Sequence, residues 1–194
     1  MKLYIGRTEK EYSTWTAEQV WREIEAELEE QGLLLNYITA DGEEIWEDFP
    51  EQLKERQSRL QTLQVMALTL AEYTAFAAGE LAADAQAEAA QVLTLSDSFY
   101  AEQEKGEDWP GLSAVFEKVS ATLVTAEFLH SLLQSQPDRA EQAAAIEELY
   151  HRLQTDLKLF QKPLAEEDVI YVADLLHFEL ERDLRELAHC CETI

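Results

Sequence analysis

From Thr69 to the C-terminus, apolar residues recur at the spacing of an α-helix, and three short stretches interrupt them. The interruptions are GEDWPG at 106–111, SQPD at 135–138 and QKPLAEED at 161–168. Each combines a proline with polar residues, which is typical of the ends of helices. Four long amphipathic helices joined by short loops predict an antiparallel four-helix bundle over residues 70–194.

The predicted core positions lie on one face of each helix. In chain order they are Thr74, Ala78, Leu81, Ala85, Val92, Leu95 and Phe99; Leu112, Phe116, Val119, Leu123, Ala126, His130 and Leu133; Ile146, Leu149, Tyr150, Leu153, Leu157 and Phe160; and Val169, Val172, Leu176, Leu180, Leu187 and Cys191. These positions would form a single apolar core.

The first part of the chain has a different pattern. KLYIG at 2–6 alternates polar and apolar residues and predicts a short strand. The next segment predicts a helix, because Thr16 and Gln19 have the spacing of a capping box and Gly32 is a helix-ending residue. Together these signals predict a strand followed by a helix.

A β-hairpin is predicted for LLLNYITADGEEIWEDF, residues 33–49, because Asp41-Gly42 is a typical type I′ turn pair. A further helix should begin at Phe49-Pro50. The segment after it, 62–69, could continue that helix or form a strand. Its β-branched residues and a new capping box, Thr69 with Glu72, favour the strand.

The resulting order is strand, helix, strand, strand, helix, strand. This order predicts a ferredoxin-like βαββαβ subdomain over residues 1–69. The fold class is therefore α+β, with the small subdomain first and the helical bundle after it.

The charge of the chain excludes some functions. Its 40 Asp and Glu residues against 15 Lys and Arg give a formal net charge of −25. Such a surface repels phosphate, so the sequence argues against nucleic-acid binding and against attachment to anionic membranes. No apolar run approaches the roughly 18 to 20 residues that a membrane-spanning helix needs.

The location predicted from the sequence is the cytoplasm. The N-terminal segment has neither the apolar core nor the cleavage site of a signal peptide. The two cysteines, Cys190 and Cys191, are adjacent, which suits neither a disulfide framework nor a metal site. We expect both to be helix residues, one of them packed inward.

Three stretches resemble an uncharacterised family of bacterial helical proteins, mostly from Firmicutes. They are YITADGEEIWEDFPEQLKER, in which Ile45 to Asp48 match the family's aromatic-Glu-Asp motif; LSDSFY, Leu95 to Tyr100, with Trp109 after it; and DLLHFEL, Asp174 to Leu180. The likeness covers residues 37–185. It implies a helical bundle and carries no known activity, cofactor or catalytic residue.

All four histidines follow an acid by three residues, as in carboxylate-bridged di-metal bundles. The pairs are Glu127 and His130, Glu148 and His151, Asp174 and His177, and Glu186 and His189. Only His130 is predicted to face the core, so we expect exposed i,i+3 pairs and no metal or other cofactor. His130 itself is expected to be a hydrogen-bonded histidine at the edge of the core.

The hairpin carries the candidate binding residues. With a two-residue turn, Tyr37 is opposite Trp46, on a face that should also include Leu33 and Leu35. This face would either dock on the bundle or bind a protein partner. A homodimer through exposed aromatic residues is left open.

The sequence contains no recognisable catalytic motif, so the preferred hypothesis is a non-enzymatic interaction or adaptor protein with an unknown protein partner. Three alternatives stay open. A chaperone of secretion or flagellar export would fit the acidic helical composition. A carboxylate-bridged metal enzyme would need inward Glu and His side chains, and a small-molecule sensor would need a core cavity.

Overall fold

The structure, a computed structural model, describes residues 1–6, 8–102 and 110–194. The chain divides into two compact units, Met1–Tyr73 and Thr74–Ile194. The division falls just beyond Thr69, the last residue of the expected first subdomain. The fold is α+β, as predicted, with the sheet in the first unit.

The first unit combines a sheet and two helices. Its elements are β1 (Lys2–Ile5), β2 (Thr8–Glu11), α1 (Ala17–Gln31), β3 (Leu33–Ala40), β4 (Glu43–Ile45), α2 (Phe49–Arg56) and β5 (Thr62–Thr69). The strand order is β2-β1-β5-β3-β4. Among the described strands, β1 and β5 pair in parallel and the other neighbours are antiparallel.

Several local predictions for this unit are confirmed. The capping box of Thr16 and Gln19 is formed, and Gly32 ends α1 with a positive φ of 62°. Asp41 and Gly42 both have positive φ angles, as a type I′ turn requires. Residues 62–69 form a strand, and Glu72 bonds back to Thr69 at the start of the next helix.

The strand order differs from the expected ferredoxin-like order, in which the first strand lies between the third and fourth predicted strands. Here β5 lies between β1 and β3. A central position suits β5 because Leu63 and Val65 are almost fully buried between their neighbours and the helices. One split βαβ unit is present, since β4 and β5 run in the same direction on either side of β3.

Strand β2 was not predicted, because its residues, TEKE, lack an alternating apolar pattern. It pairs with β1 at the edge of the sheet, where charged residues are common. Lys10 anchors it by ion pairs to Glu23 at 2.8 Å and Glu27 at 3.1 Å on α1.

One core lies between the sheet and the two helices. It is formed by Leu3, Ile5, Ala17, Val20, Ile24, Leu28, Ile38, Ala40, Ile45, Leu53, Leu60, Leu63 and Val65. Helices α1 and α2 cover this face of the sheet, and among the described elements of the first unit no other helix covers the opposite face.

The second unit is helical in its described part. Its elements are α3 (Leu70–Glu102, which begins before the division), α4 (Pro110–Gln134), a 3₁₀ turn (Pro137–Arg139), α5 (Ala140–Leu159), α6 (Gln161–Ala165), α7 (Val169–Asp174), a π-helical segment (Leu175–Leu180) and α8 (Glu181–Cys191). The last three are continuous, and we call them together the C-terminal helix. Residues 106–109 of the predicted break at 106–111, which include Trp109, lie outside the described residues.

The long helices share a single apolar core that includes most of the predicted inward positions. Hydrogen bonds show the direction of neighbouring helices. Gln136 bonds Thr74 and Lys118 bonds Gln91, so α3 and α4 are antiparallel. His130 bonds Ala143 near the start of α5, and Arg152 bonds Asp183 on α8.

The π-helical segment has a specific partner on α3. The hydroxyl of Ser96, which is fully buried, donates a hydrogen bond of 3.0 Å to the carbonyl of Ala173, just before the segment. This hydrogen bond joins α3 to the C-terminal helix beside the π-helical segment, where the regular backbone ladder of the α-helix is interrupted.

We expect Ser96→Ala to lower the free energy of unfolding by about 1 kcal/mol, because it removes a buried hydrogen bond between α3 and the C-terminal helix. Urea denaturation followed by circular dichroism measures the change. Ser120→Ala is the matched control: Ser120 is exposed and bonds within its own helix. Equal effects of both substitutions would contradict this role of Ser96.

Candidate functional site

Large apolar side chains lie on the face of the sheet opposite α1 and α2. The rings of Tyr37 and Trp46 stack with their centroids 4.4 Å apart. Met66 is paired with Tyr37 on the neighbouring strand, and Leu34 lies on the same face. Trp46 is 51% exposed, and Met66 and Leu34 are each 37% exposed. We call Leu34, Tyr37, Trp46 and Met66 the outer patch.

The structure separates the four residues that the sequence analysis placed together. The register of β3 against β5 shifts between Leu35 and Tyr37, which is a β-bulge. A bulge reverses the alternation of side chains, so Leu33 and Leu35 pack against the core of the first unit. Tyr37 and Trp46 keep the predicted pairing on the other face. The bulge has no recognisable sequence signal, and it brings Leu34 into the outer patch.

Acidic residues surround the outer patch. Glu44 is paired with Thr39 on the same face as Tyr37, and Glu47 and Asp48 follow Trp46 directly. Glu9 lies on this face of β2, where it accepts a hydrogen bond from the hydroxyl of Tyr4 at 3.1 Å and forms an ion pair with Lys2 at 3.4 Å. The patch is therefore an apolar centre in a negative field, which favours a partner that is apolar and positively charged.

The histidines occupy the positions expected from their spacing. Nδ1 of His130 is 2.9 Å from the carbonyl oxygen of Ala143, which confirms the hydrogen-bonded histidine at the core edge. His151 and His189 are exposed, and His177 is partly buried. Its neighbour Asp174 accepts a hydrogen bond of 2.6 Å from Tyr100. Among the described residues, no group of three His, Cys, Asp or Glu side chains could hold a metal ion.

Three buried acidic residues on the core-facing sides of the helices were not predicted. Glu88, Asp156 and Asp183 each follow an inward apolar residue by three positions and precede another by four. The flanking residues are Ala85 and Val92, Leu153 and Phe160, and Leu180 and Leu187. This spacing was a usable signal, because it places an acid on the core face of a helix.

Asp156 on α5 and Asp183 on α8 form a buried carboxyl pair. They are 7% and 1% exposed, and they lie on two helices that pack against each other. The carboxylate of Asp183 accepts hydrogen bonds from Nε of Arg152 at 3.0 Å and from Nε of Arg182 at 2.9 Å. No described residue donates a hydrogen bond to Oδ2 of Asp156.

The two carboxyl groups titrate differently. Burial, followed by the negative charge of Asp183, raises the pKa of Asp156 to about 7. Burial also acts to raise the pKa of Asp183, but the hydrogen bonds from Arg152 and Arg182 outweigh it, so that pKa is lowered. The pair can therefore carry one proton at neutral pH, held on Asp156.

Glu88 on α3 is a separate buried acid, 8% exposed. Thr122 on α4 donates a hydrogen bond of 2.8 Å to its Oε1, while Oε2 receives no donor from the described residues. Burial is the main cause of its raised pKa. Its electrostatic neighbours are Asp84 and Lys118, so it does not belong to the Asp156 and Asp183 pair.

The described residues of the second unit include two open grooves. One of about 430 Å³ lies between α5 and α8 and contains Arg152, Arg185, Glu148 and Glu186, whose charges balance. The other, of about 520 Å³, lies between α3 and α4 and is lined largely by small residues. Neither is the enclosed core cavity that a small-molecule sensor would need. Of the described helices, none is both long and apolar enough to span a membrane.

The cysteines agree with the prediction for the C-terminal helix. Cys191 is buried and Cys190 is partly buried, and both thiols are free. Burial raises the pKa of Cys191 to about 12 and that of Cys190 in the same direction. Raised pKa values keep both sulfurs in the unreactive thiol form.

Comparison with known proteins gives no relative of this chain: no protein-family model, curated protein or solved structure matches it.

Proposed function

We propose that the protein is a non-enzymatic interaction protein that binds a positively charged protein segment through the outer patch. The observation that carries the proposal is the stacked pair of Tyr37 and Trp46, with half of the Trp46 side chain exposed beside Met66. An exposed tryptophan next to other apolar side chains is the usual composition of a binding hot spot.

The acidic residues around the outer patch favour a positively charged partner. Glu44, Glu47 and Asp48 stand around the patch in a chain with a formal charge of −25. A second copy of this chain would bring the same negative field toward it, which opposes association. A segment with an apolar anchor and flanking Lys or Arg would complement both the centre and the rim.

The proposal includes the location and the architecture of the second unit. The free thiols of Cys190 and Cys191 support a cytoplasmic location for the protein, because cysteines stay reduced in that compartment. The shared core and the antiparallel hydrogen-bond pairs support an antiparallel four-helix bundle made of α3, α4, α5 and the C-terminal helix.

The test is affinity capture from cells that produce the protein, followed by calorimetric binding of each captured protein in purified form. We expect a basic partner whose affinity falls at least about 30-fold with Trp46→Ala, because a hot-spot residue contributes about 2 kcal/mol or more. Added salt should weaken the binding of the wild-type protein to this partner, because it screens the attraction between their opposite charges. The same design with Met66→Ala should show a smaller loss.

Phe178→Ala is the control, since Phe178 is 57% exposed in the second unit. Its affinity for the partner should equal that of the wild type. Circular dichroism must show that Trp46→Ala is folded. A partner that binds Trp46→Ala with unchanged affinity, or one without positive charge, would contradict the proposal.

A further inference from the structure

Asp183 is bonded by two arginines, whereas Asp156 is not bonded by any described cation. The C-terminal helix presents Asp183, Glu179 and Arg182 to Asp156. Arg182 bonds Glu179 at 2.7 Å and Asp183 at 2.9 Å. The nearest cations are therefore already bonded to other acids.

Among the described residues, no Lys, Arg or His forms an ion pair with Asp156. Arg152, one turn earlier on α5, bonds Asp183 and Glu186. The titratable group of α4 that bonds α5 is His130, and it contacts Ala143 at the opposite end of that helix. Among the described charged groups around it, Asp156 thus has acidic neighbours and no hydrogen bond from a cation.

Asp156 and Asp183 are both buried, and Oδ2 of Asp156 has no hydrogen-bond partner among the described residues. Two ionised carboxylates cannot supply a donor to each other, because both groups only accept hydrogen bonds. A proton on one of them creates a donor and removes the repulsion, as in other buried carboxyl pairs. We propose that Asp156 and Asp183 share one proton at neutral pH, and that loss of this proton loosens the packing of the C-terminal helix against α5.

The place where the helix would yield is adjacent to the pair. The π-helical segment Leu175–Leu180 ends just before Asp183, and π-helical turns interrupt the regular ladder of an α-helix. The arginines hold Asp183 ionised, so the shared proton resides on Asp156, whose pKa is raised by burial. A rise in pH would then put an uncompensated charge at the seam between the two helices.

The experiment is a carboxyl ¹³C NMR titration of the full chain, labelled at aspartate, from pH 4 to 9. We expect one aspartate signal to titrate near neutral pH and to be absent from Asp156→Asn and from Asp156→Ser. Glu147→Gln, which changes an exposed acid on α5, should retain the signal. The wild-type titration decides whether the proton is present even if a variant does not fold.

Hydrogen exchange tests the structural consequence. After correction for the intrinsic pH dependence, and with the amides of α1 as reference, exchange in α8 should become at least tenfold faster as the pH rises through the titration. Asp156→Asn should remove this acceleration. The proposal is overturned if every aspartate titrates below pH 5, or if α8 of the wild type and of Asp156→Asn respond equally to pH.

Discussion

Phe160→Ala should lower the free energy of unfolding of the second unit by about 3–5 kcal/mol. The Phe160 side chain is 1% exposed at the end of α5 and packs edge-to-face on Phe116 of α4, with ring centroids 5.0 Å apart. Its removal leaves a cavity among fixed helices and loses the aromatic contact as well. Urea denaturation monitored at 222 nm measures the loss.

Phe178→Ala serves as the control for Phe160→Ala because it deletes the same ring from an exposed position. We expect its effect to be within about 0.5 kcal/mol of zero. A second comparison, Phe116→Ala, tests the pair: combined with Phe160→Ala it should cost less than the sum of the two single changes. Equal costs for Phe160→Ala and Phe178→Ala would show that Phe160 is not a core residue.

The helices of this protein were predictable because their signals are local. The capping boxes at Thr16 and Thr69 depend on residues three positions apart, and the inward positions follow a period that a single segment displays. The turn at Asp41-Gly42 is equally local, since the pair itself provides the positive φ angles. Short-range physics decides these features, so one sequence is sufficient to predict them.

The arrangement of the strands depends on tertiary contacts, and there the prediction failed. Strand β2 is held at the edge by Lys10 and two glutamates of α1, which no alternating pattern reveals. The bulge before Tyr37 changes which side chains of β3 face the core. The central place of β5 is likewise set by its two neighbours, and strand sequences do not specify pairing partners uniquely.

The candidate binding surface was predicted in part. The pairing of Tyr37 with Trp46 follows from the turn length, and the stacked rings confirm it. Leu33 and Leu35 were assigned to the same surface by strict alternation, and the bulge moves them to the core side. Met66 belongs to this surface because β5 pairs with β3, and that pairing was not predictable from the sequence.

Asp183→Ala should lower the free energy of unfolding by about 3 kcal/mol at pH 7. Asp183 is the shared acceptor of Arg152 and Arg182, so its removal breaks both ion pairs and leaves a small cavity. The value is at the lower end of the range for buried pairs because the two arginine side chains are 34% and 48% exposed and can turn toward water. Denaturation with urea measures it, and Glu186→Ala, which removes a more exposed partner of Arg152, should cost much less.

Asp156→Asn should become more stable relative to the wild type as the pH rises, unlike Asp183→Ala, which should lose stability. The reason is that the folded state raises the pKa of Asp156 above its value in the unfolded chain. Between about pH 4 and pH 7 the folded protein keeps a proton that the unfolded chain has lost, so this group makes stability fall as the pH rises through that interval. The amide does not titrate. The stability of Asp156→Asn relative to the wild type should therefore increase from pH 5 to pH 8 and then stay constant. If the difference in the free energy of unfolding between Asp156→Asn and the wild type does not depend on pH, Asp156 does not carry a buried proton. A large loss of stability in Asp183→Ala would then still support the two arginine contacts of Asp183.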